Sequence, residues 1–355
     1  MVSFYLKFFL TNILFSLIIG AVLVRLNRNN THNNFELRLY SLGLGPVFTV
    51  LLLYYLFILI PRQGQFFYLA VIFLVYLVFF ISALEELRQI PRRIKDCIKT
   101  TFATWKTALY WGILLAILAG VLVLYPMEIL QHPIESHDAL IYGNFGKIYH
   151  QEKQVAYEKV MKPRGNGFYF MGSTRPSFSL LLTWEMLLNT AVINESQEFD
   201  LYFRSISGYY GLLITAVVFF WLYRKNKYLA LLGILVLLSG IRFFLILVEY
   251  HLDSYRIFFL MLSWIWLAYT IKKKDLFSLF LLGFFSGLMA FSHLIGLIVV
   301  LVNGTALLLF YEGNFKTRIF NTIGFAVGVA VFGGIHYVLE VLYGSPWGFL
   351  NYISF

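Results

Sequence analysis

The feature that most limits what this chain can fold into is a succession of about ten apolar runs, each near the ~20 residues a helix needs to cross ~30 Å of hydrocarbon. They lie at 4–24, 40–60, 66–84, 108–126, 206–223, 228–248, 255–271, 276–291, 292–311 and 319–342. The runs are continuous rather than alternating, which excludes a transmembrane β-barrel. With 60% hydrophobic and 13% charged residues, the predicted fold is all-α, a polytopic transmembrane bundle. The pair at 276–311 is short for two spans.

Charge sets the predicted orientation. The loops at 25–39, 85–107, 224–227, 272–275 and 312–318 hold 17 of the 28 Lys and Arg residues but only 6 of the 18 acids. Basic loops stay cytoplasmic, so both termini and the segment after Pro126 are expected outside, in a cell or inner membrane. The formal charge of +10 is then a signature of topology and not of nucleic-acid binding. Basic residues follow the first apolar run, so it reads as a retained helix rather than a cleaved signal. A single cysteine, Cys97, excludes an internal disulfide and a thiol metal site. The basic stretch Arg88 to Lys106 reads as a juxtamembrane segment on the anionic leaflet, with Pro91 predicted to break any continuous helix.

The longest polar segment runs from Met127 to Arg175 and carries Asp138 near its start. Pro176 to Ile193 is apolar enough to insert, yet counting it as a span would put Arg224, Lys225 and Lys227 outside. It is therefore predicted as an interfacial or re-entrant helix. Two regions result: a three-span extension with a basic cytoplasmic loop at 1–107, and a membrane module at 108–355 with its external loop at 127–205. The small-residue pairs Gly283/Gly287 and Gly324/Gly328 predict close helix contacts inside the module.

Four matches in order and sidedness make residues 108–355 resemble the GT-C superfamily of membrane glycosyltransferases. A span exits into a large external loop carrying Asp138, within Glu135-Ser136-His137-Asp138. A Pro-initiated apolar segment follows from Arg175-Pro176. An Arg then precedes the next span in Phe203-Arg204-Ser205, and a later external turn reads Glu249-Tyr250-His251-Leu252-Asp253-Ser254-Tyr255-Arg256. The resemblance implies transfer of a sugar from a polyprenyl-phosphate carrier to a glycan, lipid or protein acceptor at the external face. The three extra spans before the loop depart from the family pattern.

The residues suit that chemistry in their own right. An attacking hydroxyl needs a general base, for which Asp138 is the candidate, with Glu135 able to assist. A departing phosphate needs charge stabilisation, for which Arg175, Arg204 and Arg256 are candidates, Arg being suited to bidentate phosphate contact. The blander readings are Asp138 as a loop or helix-capping carboxylate paired with Lys147, and each Arg as an interfacial anchor. His251 and Asp253 form a second polar motif. His293 and Glu340, the latter one turn beyond His336, complete the predicted binding set. Tyr142, Tyr149, Tyr169 and Trp184 are candidates to stack on a sugar ring. No metal ligand set is predicted, although Glu135, His137 and Asp138 would suit Mg²⁺ or Mn²⁺ if a cation takes part. A lipid-linked-sugar transporter or flippase, an envelope polysaccharide polymerase, and a non-catalytic subunit acting with a partner chain are the alternatives.

Overall fold

The computed structural model describes residues 9–27, 32–101, 104–131, 137–155, 176–192, 199–240, 242–243, 245 and 252–342. Among them there is no strand, and the all-α expectation holds. The helices are α1 (Phe15–Leu26), α2 (Asn34–Ser41), α3 (Leu44–Leu59), α4 (Gln65–Thr101), α5 (Trp105–Gln131), α6 (His137–Glu152) and α7 (Pro176–Val192). They continue with α8 (Phe199–Tyr223), α9 (Lys227–Ser239), α10 (Leu252–Lys273), α11 (Leu276–Ser292), α12 (Ile295–Phe310), α13 (Phe315–Val329) and α14 (Ile335–Leu342). A π-helical turn, Phe9–Leu14, opens α1, and a second, Ala330–Gly334, joins α13 to α14.

Among the described residues each predicted apolar run is helical over most of its length, but not always as one straight helix. Among the described residues four helices are long and apolar enough to cross a membrane: Gln65–Arg92, Ser205–Tyr223, Leu252–Lys273 and Phe315–Leu339. The bent pair α2–α3, turned by 58°, makes a fifth if it is one span. Five further apolar helices are shorter.

Two sequence expectations need correction. Pro91 does not end a helix, because α4 runs through it for 37 residues. A helix-interior proline gives up one backbone hydrogen bond, at about 3 kcal/mol, and a helix of this length absorbs the loss. The run at 228–248 is not one helix, since α9 stops at Ser239 and Gly240 takes extended torsions as its C-cap. The described side chains of α7 are buried or nearly so, including Glu185 at 0% exposure.

The chain divides into two compact units. The first comprises 1–46, 69–139 and 193–254. Here α1 and α2 pack so closely that a Cβ on Gly20 would meet the Ser41 hydroxyl. Phe15 stacks on Tyr76 of α4 at 3.7 Å. Helices α8 and α9 form a hairpin through Arg224-Lys225-Asn226, where the Asn226 side chain caps α9 by accepting from the Tyr228 and Leu229 N–H groups. Glu36, almost fully buried, pairs with Arg224, and Arg38 pairs with Glu86 at 2.9 Å. Tyr110 of α5 donates to the Lys227 carbonyl at 2.7 Å.

The second unit comprises 47–68, 140–192 and 255–355. Helices α11 and α13 run parallel along the small-residue seam, with Gly283 against Gly328 and Gly287 against Val329 and Phe332. The two glycine pairs therefore pack against each other inside this unit, as their spacing predicts. The insecure pair at 276–311 is two distinct helices, α11 and α12, bridged by Asn303 Nδ2 donating to Ser286 Oγ at 3.0 Å. The π-turn after α13 contains Gly333 at φ +146°, a left-handed torsion that an L side chain resists. Tyr55 donates to the Val331 carbonyl it frees, and Tyr54 lies 3.4 Å from His336 Nδ1.

Candidate functional site

The predicted loop acid Asp138 sits in the first turn of α6, its helix beginning at His137. Lys147 is nine residues further along the same helix. The structure also fixes where this helix goes. Tyr142 packs edge-on against Phe178 of α7 at 5.4 Å. One turn later Thr183 Oγ1 donates to the Gly146 carbonyl at 3.0 Å, and Leu182 fills the space a Cβ on Gly146 would take. The contacts advance together, so α6 and α7 run parallel, both starting from one end.

The start of α10 joins the same place. Phe178 meets Tyr255 at 5.8 Å, and the Ser177 and Tyr255 hydroxyls share a hydrogen bond. Ser177 is the second residue of α7 and Tyr255 the fourth of α10. Tyr142, Ser177, Phe178 and Tyr255 all belong to the second unit. Within this unit α6, α7 and α10 are thus joined by buried aromatic rings and a hydroxyl pair beside the start of α7. That helix N-terminus carries unpaired N–H groups and the positive end of a helix dipole, the usual setting for an anion. Asp253 and Arg256 occupy the first turns of α10 and are half-buried, each engaged in polar interactions.

The far end of α6 is anchored differently. Lys153 and Arg62 both take left-handed torsions, and the Arg62 N–H donates to the Lys153 carbonyl at 2.9 Å. Tyr68 donates to the same carbonyl at 3.2 Å and to that of Ile60 at 2.9 Å. The Lys153 ammonium caps the His150 carbonyl. Burial, and then the Lys153 charge, push the His150 imidazole from its ordinary 6.5 down to about 4. Burial lowers the Lys153 ammonium to about 8.

The other predicted site residues distribute unevenly. Glu135, Arg175 and His251 lie outside the described residues, as do Tyr169 and the basic loop at 162–167. Arg204 lies on α8 and Glu340 on α14, where the helix is described but the side chains are not. His293 caps the C-terminus of α11, and its Nδ1 accepts from the Ile295 N–H at 3.1 Å. That bond fits a structural cap. Tyr142 and Tyr149 are 6% exposed and Trp184 is 0% exposed, so these three of the rings considered for sugar stacking are packed in the core. Among the described residues no three His, Cys, Asp or Glu side chains come together to hold a metal.

Sequence reasoning missed Ser177 and Tyr255 as the joint between α7 and α10. Both are ordinary residues of apolar segments, and only their meeting marks them. Comparisons with protein-family models, curated proteins and solved structures return no match.

Proposed function

We propose that the chain is a GT-C-like membrane glycosyltransferase that moves a sugar from a polyprenyl-phosphate carrier to an acceptor at the extracytoplasmic face. The observation that carries this reading is the joining of α6, α7 and α10 beside the N-terminus of α7 through Tyr142, Phe178, Ser177 and Tyr255. Such an end attracts a phosphate, and Arg256 follows Tyr255 directly on α10.

In this reading the acceptor hydroxyl gives its proton to the Asp138 carboxylate as its oxygen attacks the anomeric carbon. The bond from that carbon to the carrier phosphate oxygen breaks, and the phosphate leaves as an anion. Arg256 and the helix N–H groups stabilise the charge that develops.

The topology belongs to the same proposal: about ten crossings, both termini outside, and the loop at 127–205 outside. Contacts between loops support it. Glu36 with Arg224, Arg38 with Glu86 and Lys274 with Glu312 each join segments that the charge asymmetry assigns to the cytoplasm. Arg62 with Lys153 joins two assigned to the outside. A transporter or flippase is the second reading, favoured by the 58° break between α2 and α3 and the early end of α9.

The test is to purify the protein and Asp138→Asn from native membranes and identify the retained lipids by mass spectrometry. A polyprenyl-phosphate sugar held by both, and enriched in the variant, supports the transferase. Retention of that lipid with unchanged turnover in Asp138→Asn favours the flippase. Bulk phospholipid alone in both proteins removes the lipid-linked donor from the reading.

A further inference from the structure

Helix α9 is too short for the thickness it enters. Its 13 residues rise about 20 Å from the Arg224-Lys225-Asn226 turn. It packs along α8, which is long and apolar enough to cross the ~30 Å of hydrocarbon. At Gly240 the backbone turns extended, and Phe243 Cβ lies 3.9 Å from where a Cβ on Gly240 would stand. The chain therefore folds over the helix end instead of running straight on. Arg242 is two residues from Gly240 and stays within about 7 Å of it. Measured along α9 from the basic turn that the charge pattern puts at the boundary, Arg242 lies roughly 13–27 Å in, still within the hydrocarbon.

The surroundings of Arg242 are apolar. Leu232, Leu235 and Val236 on α9 and Leu245 beyond it are exposed, whereas Ala230 and Ile234 form the buried side of the helix. Arg242 is itself exposed and makes no hydrogen bond or ion pair among the described residues. A cation at such a depth is costly unless an anion or a polar group meets it. A bilayer meets a short span by thinning, which brings its headgroups toward the cations at the span's end. The anion within reach is then a lipid phosphate, and the guanidinium fork matches two of its oxygens at once.

We propose that Arg242 binds the phosphate of a membrane lipid, drawn down against the end of α9 to complete the crossing that this helix leaves short. The site lies in the first unit. It rests on the reading that the α8–α9 hairpin crosses a membrane, and it stands whether or not the protein transfers a sugar.

The test begins with alkaline carbonate extraction of native membranes, because release of the protein would remove the membrane premise and the proposal with it. The detergent-purified full chain and Arg242→Gln are then compared by native mass spectrometry. Wild type is expected to retain one more phosphate-bearing lipid than the variant, and the mass of that lipid distinguishes a phospholipid from a polyprenyl phosphate. After delipidation, added phosphatidylglycerol is expected to raise the melting temperature of wild type with an apparent affinity about 10–100-fold above that of Arg242→Gln. Monoglucosyl diacylglycerol, which has no phosphate, raises both equally. Arg242→Lys keeps the charge without the fork, falls between the two, and stands in if Arg242→Gln does not fold. Equal retention and equal titration curves in wild type and Arg242→Gln overturn the proposal. So does a markedly lower melting temperature of delipidated Arg242→Gln, which would reveal a partner for Arg242 within the chain.

Discussion

Adding one methyl group at Gly45 and at Gly112 should change stability in opposite directions. A Cβ on Gly45 would lie 2.6 Å from Ser16 Oγ and the Thr11 carbonyl oxygen and 2.7 Å from the Ser16 backbone nitrogen. Two of those three atoms are backbone and cannot rotate away, so the π-turn must retreat from the break by several tenths of an ångström. Overpacking of this kind costs about 1–3 kcal/mol. The retreat also loosens the Gly45–Ser16 bond of 2.8 Å and the Tyr209 bonds that span both segments. The better helix propensity of alanine returns up to about 1 kcal/mol. The expected net effect of Gly45→Ala is a loss of about 1–3 kcal/mol. Gly112, inside α5, has nothing within 4 Å of its Cβ position. There alanine removes the entropy penalty of glycine and should add about 0.5–1 kcal/mol. Thermal and denaturant unfolding of both variants in the same detergent gives the comparison. Gly45→Ala as stable as wild type would refute the close approach of the π-turn to the break.

Further predictions concern pH, an ion pair and catalysis. His150 titrates near 4 when folded and near 6.5 when unfolded, so between these values the unfolded chain binds more protons and stability rises with pH. Melting temperature should therefore fall as pH drops from 6.5 to 4, and His150→Gln should flatten the slope in that window. Glu36→Ala removes the buried partner of Arg224, which is itself half exposed and keeps its hydration, so the loss should be about 1–2 kcal/mol in unfolding experiments. Asp138→Asn should lower sugar transfer by about 10²–10⁴-fold in an assay with a polyprenyl-phosphate donor and leave the melting temperature unchanged. A comparable fall in both would assign Asp138 a structural role.

Much of the local structure was legible in the residues. The described parts of the apolar runs are mostly helical, the caps at Asn226, Asp275 and Asn314 stand where polar residues precede apolar runs, and the glycine pairs of α11 and α13 met as their spacing required. The misreadings have physical causes. Gly43-Leu44-Gly45-Pro46 signalled the α2–α3 break, but hydropathy averaged over a window passes across it. Pro91 pointed to an end that the long helix did not need.

By itself, the sequence determined that this protein is helical, apolar over membrane-length stretches and basic on one set of loops. Those properties follow from side-chain transfer energies and backbone hydrogen bonding, which act locally. Which residues meet was decided only by the tertiary structure. Tyr255 joining Ser177, Tyr209 bridging Asn12 and Leu42, and Arg62 closing on Lys153 pair residues that lie from 78 to 197 positions apart in the chain for the first two bonds. No local pattern encodes such pairs, because the energy that selects them comes from packing helices until each freed carbonyl and buried hydroxyl finds a partner.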